Sequence, residues 1–258
     1  MKIAMFAQLV EDLGAEILTF TKRETSDGNV YSIGIVEPAP VTFDEPLEKA
    51  EKPVEAIKTD NAAPYFSIVK GYVRDGTADK HIKVGDKVTL PHFKIPAAKD
   101  CEGEEFDEID LENVVITAVH VEPHRVVFNF EDILFRHDVD YKESGKPFEE
   151  TPLGVYLAKH FTKALEEYTG KVNVSLLSKD NVFNENSKNF MPYFKPVKNR
   201  IKALAFENDT WWWWLGTPYA SNSTAFCYVN HYGYSHVNIA SNTGGGVAPA
   251  FEFTADSE

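Results

Sequence analysis

The chain has almost no cysteine: Cys101 and Cys227 are the only two in 258 residues. They lie far apart and in unlike contexts, which argues against a disulfide framework or a clustered-thiolate zinc site. Basic residues are also scarce, with 26 Lys and Arg against 40 Asp and Glu for a formal net charge of -14 and a pI near 5.0. Phosphate backbones are held by clustered Lys and Arg, so nucleic-acid binding is not expected. No apolar run approaches the roughly 20 residues that a bilayer-spanning helix needs, so membrane insertion is not expected either. The first seven residues lead directly into Gln8, Glu11 and Asp12, without the apolar region and cleavage site of a secretory signal, and synthesis in the cytoplasm is expected. With 43% hydrophobic and 13% aromatic residues, the chain is too apolar for disorder and long enough for a conventional core.

The most informative absence is local. Residues 210–251 contain no Asp, Glu, Lys or Arg, although 26% of the whole chain is charged. Tyr, Asn, Ser, His and Gly crowd the part after Trp214. That is the residue mix of a recognition surface, in which rigid amphipathic tyrosines give contact area and small polar groups give adaptable hydrogen bonds. It is a binding composition more than a catalytic one.

Elsewhere the pattern predicts an α+β fold. Apolar runs at 15–20 and 30–36 flank turn material at 25–29, which predicts a hairpin around Asp27-Gly28. Residues 37–64 are rich in Pro, Glu, Lys and Ala and read as a linker, with a peripheral helix at 47–58 as an option. Residues 65–72 and 82–93 read as strands, with a turn at 84–87. The acidic run 100–112 reads as a solvated loop. Two strands at 114–121 and 125–130 follow, joined by Glu122-Pro123-His124. A helix is expected from Pro152 to Tyr168, with Thr151 as N-cap, Pro152 in the first turn, Gly170 after the end and an apolar stripe from Leu153 to Tyr168. Residues 181–200 show no clear period and read as irregular. The expected domains are 1–78, a β-rich attachment or oligomerisation unit with its linker, and 79–258, which carries the ligand-binding region at 210–250.

Motifs for catalysis are weak. His120 and His124 have the separation of a helical metal pair, but Pro123 and β-branched neighbours place them on strands and a turn. The run Arg136-His137-Asp138-Val139-Asp140 begins like a calcium loop, yet Lys142 takes a ligand position and Gly145 is misplaced. Cys227, with His231 and His236 near it in sequence, is a candidate nucleophile set against the reading of a small buried hydrophobe. Gly244-Gly245-Gly246 lacks a following helix signal or Lys and reads as a turn before a strand at 247–253. Trp211 to Trp214 in one strand must point alternately to opposite faces. No metal or cofactor is expected.

Asn208-Asp209-Thr210 followed by W-W-W-W-L-G-T-P-Y and ending in G-V-A-P-A-F resembles a bacterial and phage family with a W-W-L-R-S-P … G-V-R-P-A-F signature. Upstream pieces at 84–90, 130–135 and 151–161 are similar too, so the resemblance covers residues 80–258. The family's arginines are replaced here by Gly216 and Ala248. The resemblance implies a C-type-lectin-like domain in its formylglycine-generating-enzyme-like form. It also implies a variable protein diversified by a retroelement that mutates adenines in a template repeat. On that reading the chain is not an enzyme but a phage-encoded, virion-associated receptor-binding protein whose target is a protein or glycan on a cell surface. The implied ligand-binding positions are Trp213, Tyr219, Asn222, Thr224, Tyr228, Asn230, His231, Tyr232, Tyr234, His236, Asn238, Ala240 and Asn242. Phe226, Cys227, Val229, Gly233, Val237 and Val247 would form a fixed scaffold, with Val229, Val237 and Ile239 buried by alternation. The competing expectations are an oxidase using Cys227 and a structural virion or surface module with an oligomer interface.

Overall fold

The computed structural model describes residues 16–25, 28–36, 62–99, 105–207 and 209–255. The chain divides into two units, Met1–Pro53 and Val54–Glu258. In the first, β1 (Glu16–Thr25) pairs antiparallel with β2 (Gly28–Val36), and Thr25 faces Gly28. This is the hairpin expected around Asp27-Gly28. The linker at 37–64 falls almost entirely, and the optional helix at 47–58 entirely, outside the described residues.

The second unit opens with α1 (Ala62–Arg74). The strand expected at 65–72 is instead part of this helix, because Ala62, Phe66, Val69 and Val73 recur at three- and four-residue spacing and bury one face. Phe66 packs edge-on against Phe128 and Phe251, with ring centroids 5.5 and 5.7 Å away. The helix therefore belongs to the second unit's core, and the division at 53/54 lies upstream of the expected 78/79.

After α1 come α2 (Ala78–His81), β3 (Lys87–Ile95), the two-stranded ribbon of β4 (Ala98–Lys99) and β5 (Glu105–Phe106), then β6 (Ile109–Glu122) and β7 (Arg125–Phe130). The last two are the strand pair expected around Pro123. Part of the acidic run expected as a loop is thus strand: Ile109 pairs with Ile95 and Asp110 with Lys94. β8 (Phe135–Arg136) precedes α3 (Pro152–Tyr156), a π-helical turn (Leu157–Phe161) and α4 (Thr162–Thr169). Together these make the expected helix, broken only in register. Thr151 Oγ1 accepts the Gly154 N–H at 3.1 Å, and Gly170 ends the helix at a φ of +63°, a value open to a residue without a Cβ.

The remaining elements are β9 (Asn173–Ser175), α5 (Lys179–Phe183), β10 (Lys202–Ala203), β11 (Thr210–Trp211), β12 (Trp213–Tyr219), β13 (Asn222–Val229), β14 (Ser235–Ile239), β15 (Gly246–Val247) and β16 (Ala250–Thr254). One five-stranded sheet runs β3-β6-β7-β16-β9, and a second runs β14-β13-β12-β15-β8. The architecture is α+β, with a β-rich region preceding a mixed α/β region.

Two apolar clusters hold this unit. The larger contains Phe66, Phe128, Phe130, Phe161, Phe251 and Phe253 beneath the helices and extends to Trp214 and Phe226. The smaller contains Val119, Val127, Leu177, Phe194, Trp213, Leu215, Cys227 and Val229. Among the described residues no helix is long and apolar enough to cross a membrane. Replacing Phe66 with Ala should cost about 3–5 kcal/mol. A lowered urea midpoint at unchanged slope is the expected result, and an unshifted midpoint would show that α1 is not part of the core.

Candidate functional site

The uncharged stretch folds into the meander β12-β13-β14. Its base is the tryptophan run, which alternates as a strand requires. Trp211 and Trp213 join the smaller cluster, while Trp212 and Trp214 join the larger one. Three indoles donate to backbone carbonyls: Trp211 to Gly244 at 2.7 Å, Trp213 to Arg200 at 2.9 Å and Trp214 to His137 at 2.9 Å. The glycine run packs against this base, since a Cβ on Gly245 would lie 1.8 Å from Trp214 Nε1.

Trp214 and Tyr228 are cross-strand partners, and Tyr228 in turn faces His236. The result is an aromatic ladder on one face. Trp212 stands 4.8 Å from Trp214 and 4.8 Å from Tyr228, and Tyr228 stacks on His236 at 5.8 Å. Burial raises the Tyr228 hydroxyl pKa. Composition did not single out Trp212, although the alternation of the four indoles was the signal that pairs it with Trp214.

Among the described residues, the turn after β13 carries the most exposed tyrosines, Tyr232 at 63% and Tyr234 at 58%. Asn230 builds this turn: its Oδ1 accepts the N–H of Tyr232 at 2.9 Å and of Tyr234 at 3.0 Å, and Gly233 takes a φ of +84°. Asn222 and Asn242 do the same work, accepting from the Thr224 and Gly244 N–H groups at 3.1 and 2.9 Å. These are Asx turns, so part of the asparagine enrichment has a local backbone cause.

The thirteen implied positions therefore separate. His231, Tyr232, Tyr234 and His236 are exposed at one end of the meander, and half-buried Tyr228 and Asn238 share the face of His236. Tyr219 and Asn222 are exposed at the opposite turn, with Thr224 half-buried; β13 between the two turns spans roughly 25 Å. Asn230 and Asn242 are half-buried. Two expectations need correction. Trp213 is fully buried and Ala240 is 1% exposed, because the indole fills the smaller cluster and Ala240 the larger one; neither can touch a ligand. Val237 and Ile239, expected inside, are 42% and 48% exposed. Their partners Cys227 and Ala225 on the same face are buried, but β14 is an edge strand and the cover ends over β13.

Cys227 lies within the smaller cluster, and burial pushes its thiol pKa up despite Lys179 nearby. A thiol held protonated is a poor nucleophile. His236 sits on the other face, opposite Tyr228, and Cys101 lies outside the described residues. Among the described residues no group of three His, Cys, Asp or Glu could hold a metal. His124 instead bonds the Val73 carbonyl at 3.0 Å. A recess of about 340 Å³ lined by Phe106, Arg136 and Tyr156 has several of its charges paired, Glu105 with Lys99 and Arg136 with Glu207.

A family model described as a domain of unknown function, DUF6273, matches residues 136–254. That span takes in the whole meander and both strands that follow it. No curated protein and no solved structure matches the chain.

Beneath the meander, Lys202 is buried and donates to the carbonyls of Phe130 and Glu131 at 2.6 and 3.0 Å, with its ammonium 5.1 Å from the Trp213 ring centre. Burial pulls its pKa from 10.5 to about 7, against the raising influence of Asp132 and Glu131. Between those values the unfolded chain binds more protons than the folded one, so stability rises with pH. The sign then reverses, because burial raises Tyr65, Tyr156 and Tyr193 from 10.0 to about 12 and the unfolded tyrosines ionise first. Tm should climb from about pH 7 to about pH 10 and fall above it, and Lys202→Met should remove most of the climb, leaving the smaller share of Lys70, whose pKa burial also lowers. A flat profile, or a climb undiminished by the substitution, would contradict this assignment.

Proposed function

We propose that the chain is a non-enzymatic ligand-binding protein that presents the meander to a protein or glycan on a cell surface, and that its second unit is a C-type-lectin-like domain of a retroelement-diversified phage or bacterial family. The observation that carries this reading is the exposure of Tyr232, Tyr234, His231 and His236 on a stretch without a single Asp, Glu, Lys or Arg. Beneath them lies a buried framework of Trp214, Phe226, Cys227, Val229 and Val247. Rigid aromatic side chains on such a base supply binding area at low entropic cost, and side chains that support nothing can be exchanged without unfolding the domain. The proximal cluster at 228–238 would dominate contact, with Tyr219 and Asn222 reaching a large target from the far turn. The buried, protonated Cys227 weighs against the oxidase reading.

The DNA around the gene tests the proposal directly. A near-copy of the 3′ coding region should lie close by with a reverse transcriptase gene, and the two copies should differ mainly at adenines in the codons for Tyr228, His231, Tyr232, Tyr234 and His236. Differences scattered equally over the codons for Phe226, Val229 and Val247, or no second copy, would count against diversification.

A further inference from the structure

Strand β14 closes one end of the second sheet, whose order is β14-β13-β12-β15-β8, and its register fixes what its outer edge offers. The pairs Tyr228–His236 and Phe226–Asn238 belong to the same series as Asn230–Tyr234 and Thr224–Ala240, which are joined by backbone bonds of 2.8 and 2.9 Å. Hydrogen bonding alternates along an antiparallel strand. The even-numbered residues therefore bond to β13, and Ser235, Val237 and Ile239 turn their N–H and C=O groups outward.

This edge lacks the charges and prolines that usually blunt one. The strand Ser-His-Val-Asn-Ile has no Lys, no Pro and no acidic residue, and it shows Val237 and Ile239 at the surface. An edge of that kind is a template for another strand. Two local bonds compete, both at Ile239: Asn238 Oδ1 takes its N–H at 2.9 Å and its C=O accepts the Asn242 N–H at 3.2 Å.

The geometry points to a second copy of this chain as the occupant, joined through β14 in antiparallel pairing about a two-fold axis at Val237. Val237 then faces its own counterpart and exchanges two backbone bonds with it, while Ser235 faces Ile239 of the second copy, whose N–H and C=O exchange their local bonds to Asn238 and Asn242 for the intermolecular pair. The pattern is complementary to itself. Charge selects the place: the chain carries a net charge of -14, so copies repel over most of the surface, but residues 210–251 contribute no Asp, Glu, Lys or Arg to that repulsion. The two apolar side chains continue the face of buried Ala225 and Cys227, so pairing extends a core that stops short at β13.

His236, Asn238 and Tyr228 stay on the opposite face. A two-fold axis normal to the sheet leaves both copies' ladders pointing the same way. The dimer would thus hold two binding surfaces side by side and bind multivalent targets by avidity. It does not depend on the retroelement reading, because it uses only the edge and the face of Val237.

Sedimentation and light scattering of the full chain, over a concentration series into the high-micromolar range, test this. The wild type should show a dimer of twice 29.0 kDa. Val237→Lys should shift dissociation to at least tenfold higher concentration. Val237→Pro should do the same with β13–β14 intact, because that N–H does not bond to β13. Circular dichroism should be unchanged in both. In a Cys101→Ser, Cys227→Ala background, which removes the thiol directly across from position 237 in the same chain, Val237→Cys should crosslink copy to copy on mild oxidation, as facing Cα atoms about 5.5 Å apart allow. A wild type that stays monomeric, or a dimer that persists in both edge variants while Val237→Cys fails to crosslink, would overturn the proposal.

Discussion

Four tryptophans in succession cannot all face one way in a strand, and that constraint organises the second sheet. Trp213 enters the smaller cluster and Trp214 the larger one, so β12 is clamped from both sides. Its indole N–H groups then tie it to carbonyls of Arg200 and His137. Unsatisfied, each buried N–H would cost about 1–3 kcal/mol. Clamped in this way, β12 fixes the register of β13, where Phe226 and Cys227 repeat the division between the two clusters.

The covering layers reach no further than β13. β14 inherits the alternation but not the cover, so both of its faces are largely exposed. One face bears His236 and Asn238 beside the Tyr228 ladder, and the other bears Val237 and Ile239. The proposed ligand surface and the proposed dimer edge are thus two consequences of one strand being last in its sheet. The local asparagine turns add rigidity, holding Tyr232 and Tyr234 out on a turn braced by Asn230.

Local chemistry made several elements readable from sequence. The Thr151 cap, Pro152 and Gly170 marked the helix ends, and the alternation at 114–130 marked β6 and β7. Residues 65–72 misled because a short apolar run fits a buried strand or a helix equally well, and only packing against Phe128 and Phe251 decides. The uncharged composition located the candidate surface, but alternation could not say which strand would be the edge. Alternation by itself therefore places Val237 and Ile239 inside. An outward indole at Trp213 is one option that strand alternation leaves open, and Ala240 is placed at the surface by the resemblance; the burial of both follows from the cluster contacts.

The proposed binding surface requires one division, between a framework that the fold needs and an outward set that it does not. A saturation scan of residues 210–251, read by the fraction of each variant that remains folded and resistant to protease, tests it most directly. Tyr219, His231, Tyr232, Tyr234 and His236 should accept nearly every residue, with changes within about 0.5 kcal/mol, while Trp213, Trp214, Phe226, Val229 and Ala240 should accept very few. If the exposed tyrosines and histidines prove as intolerant as the buried framework, the meander is a structural element and not an exchangeable binding surface.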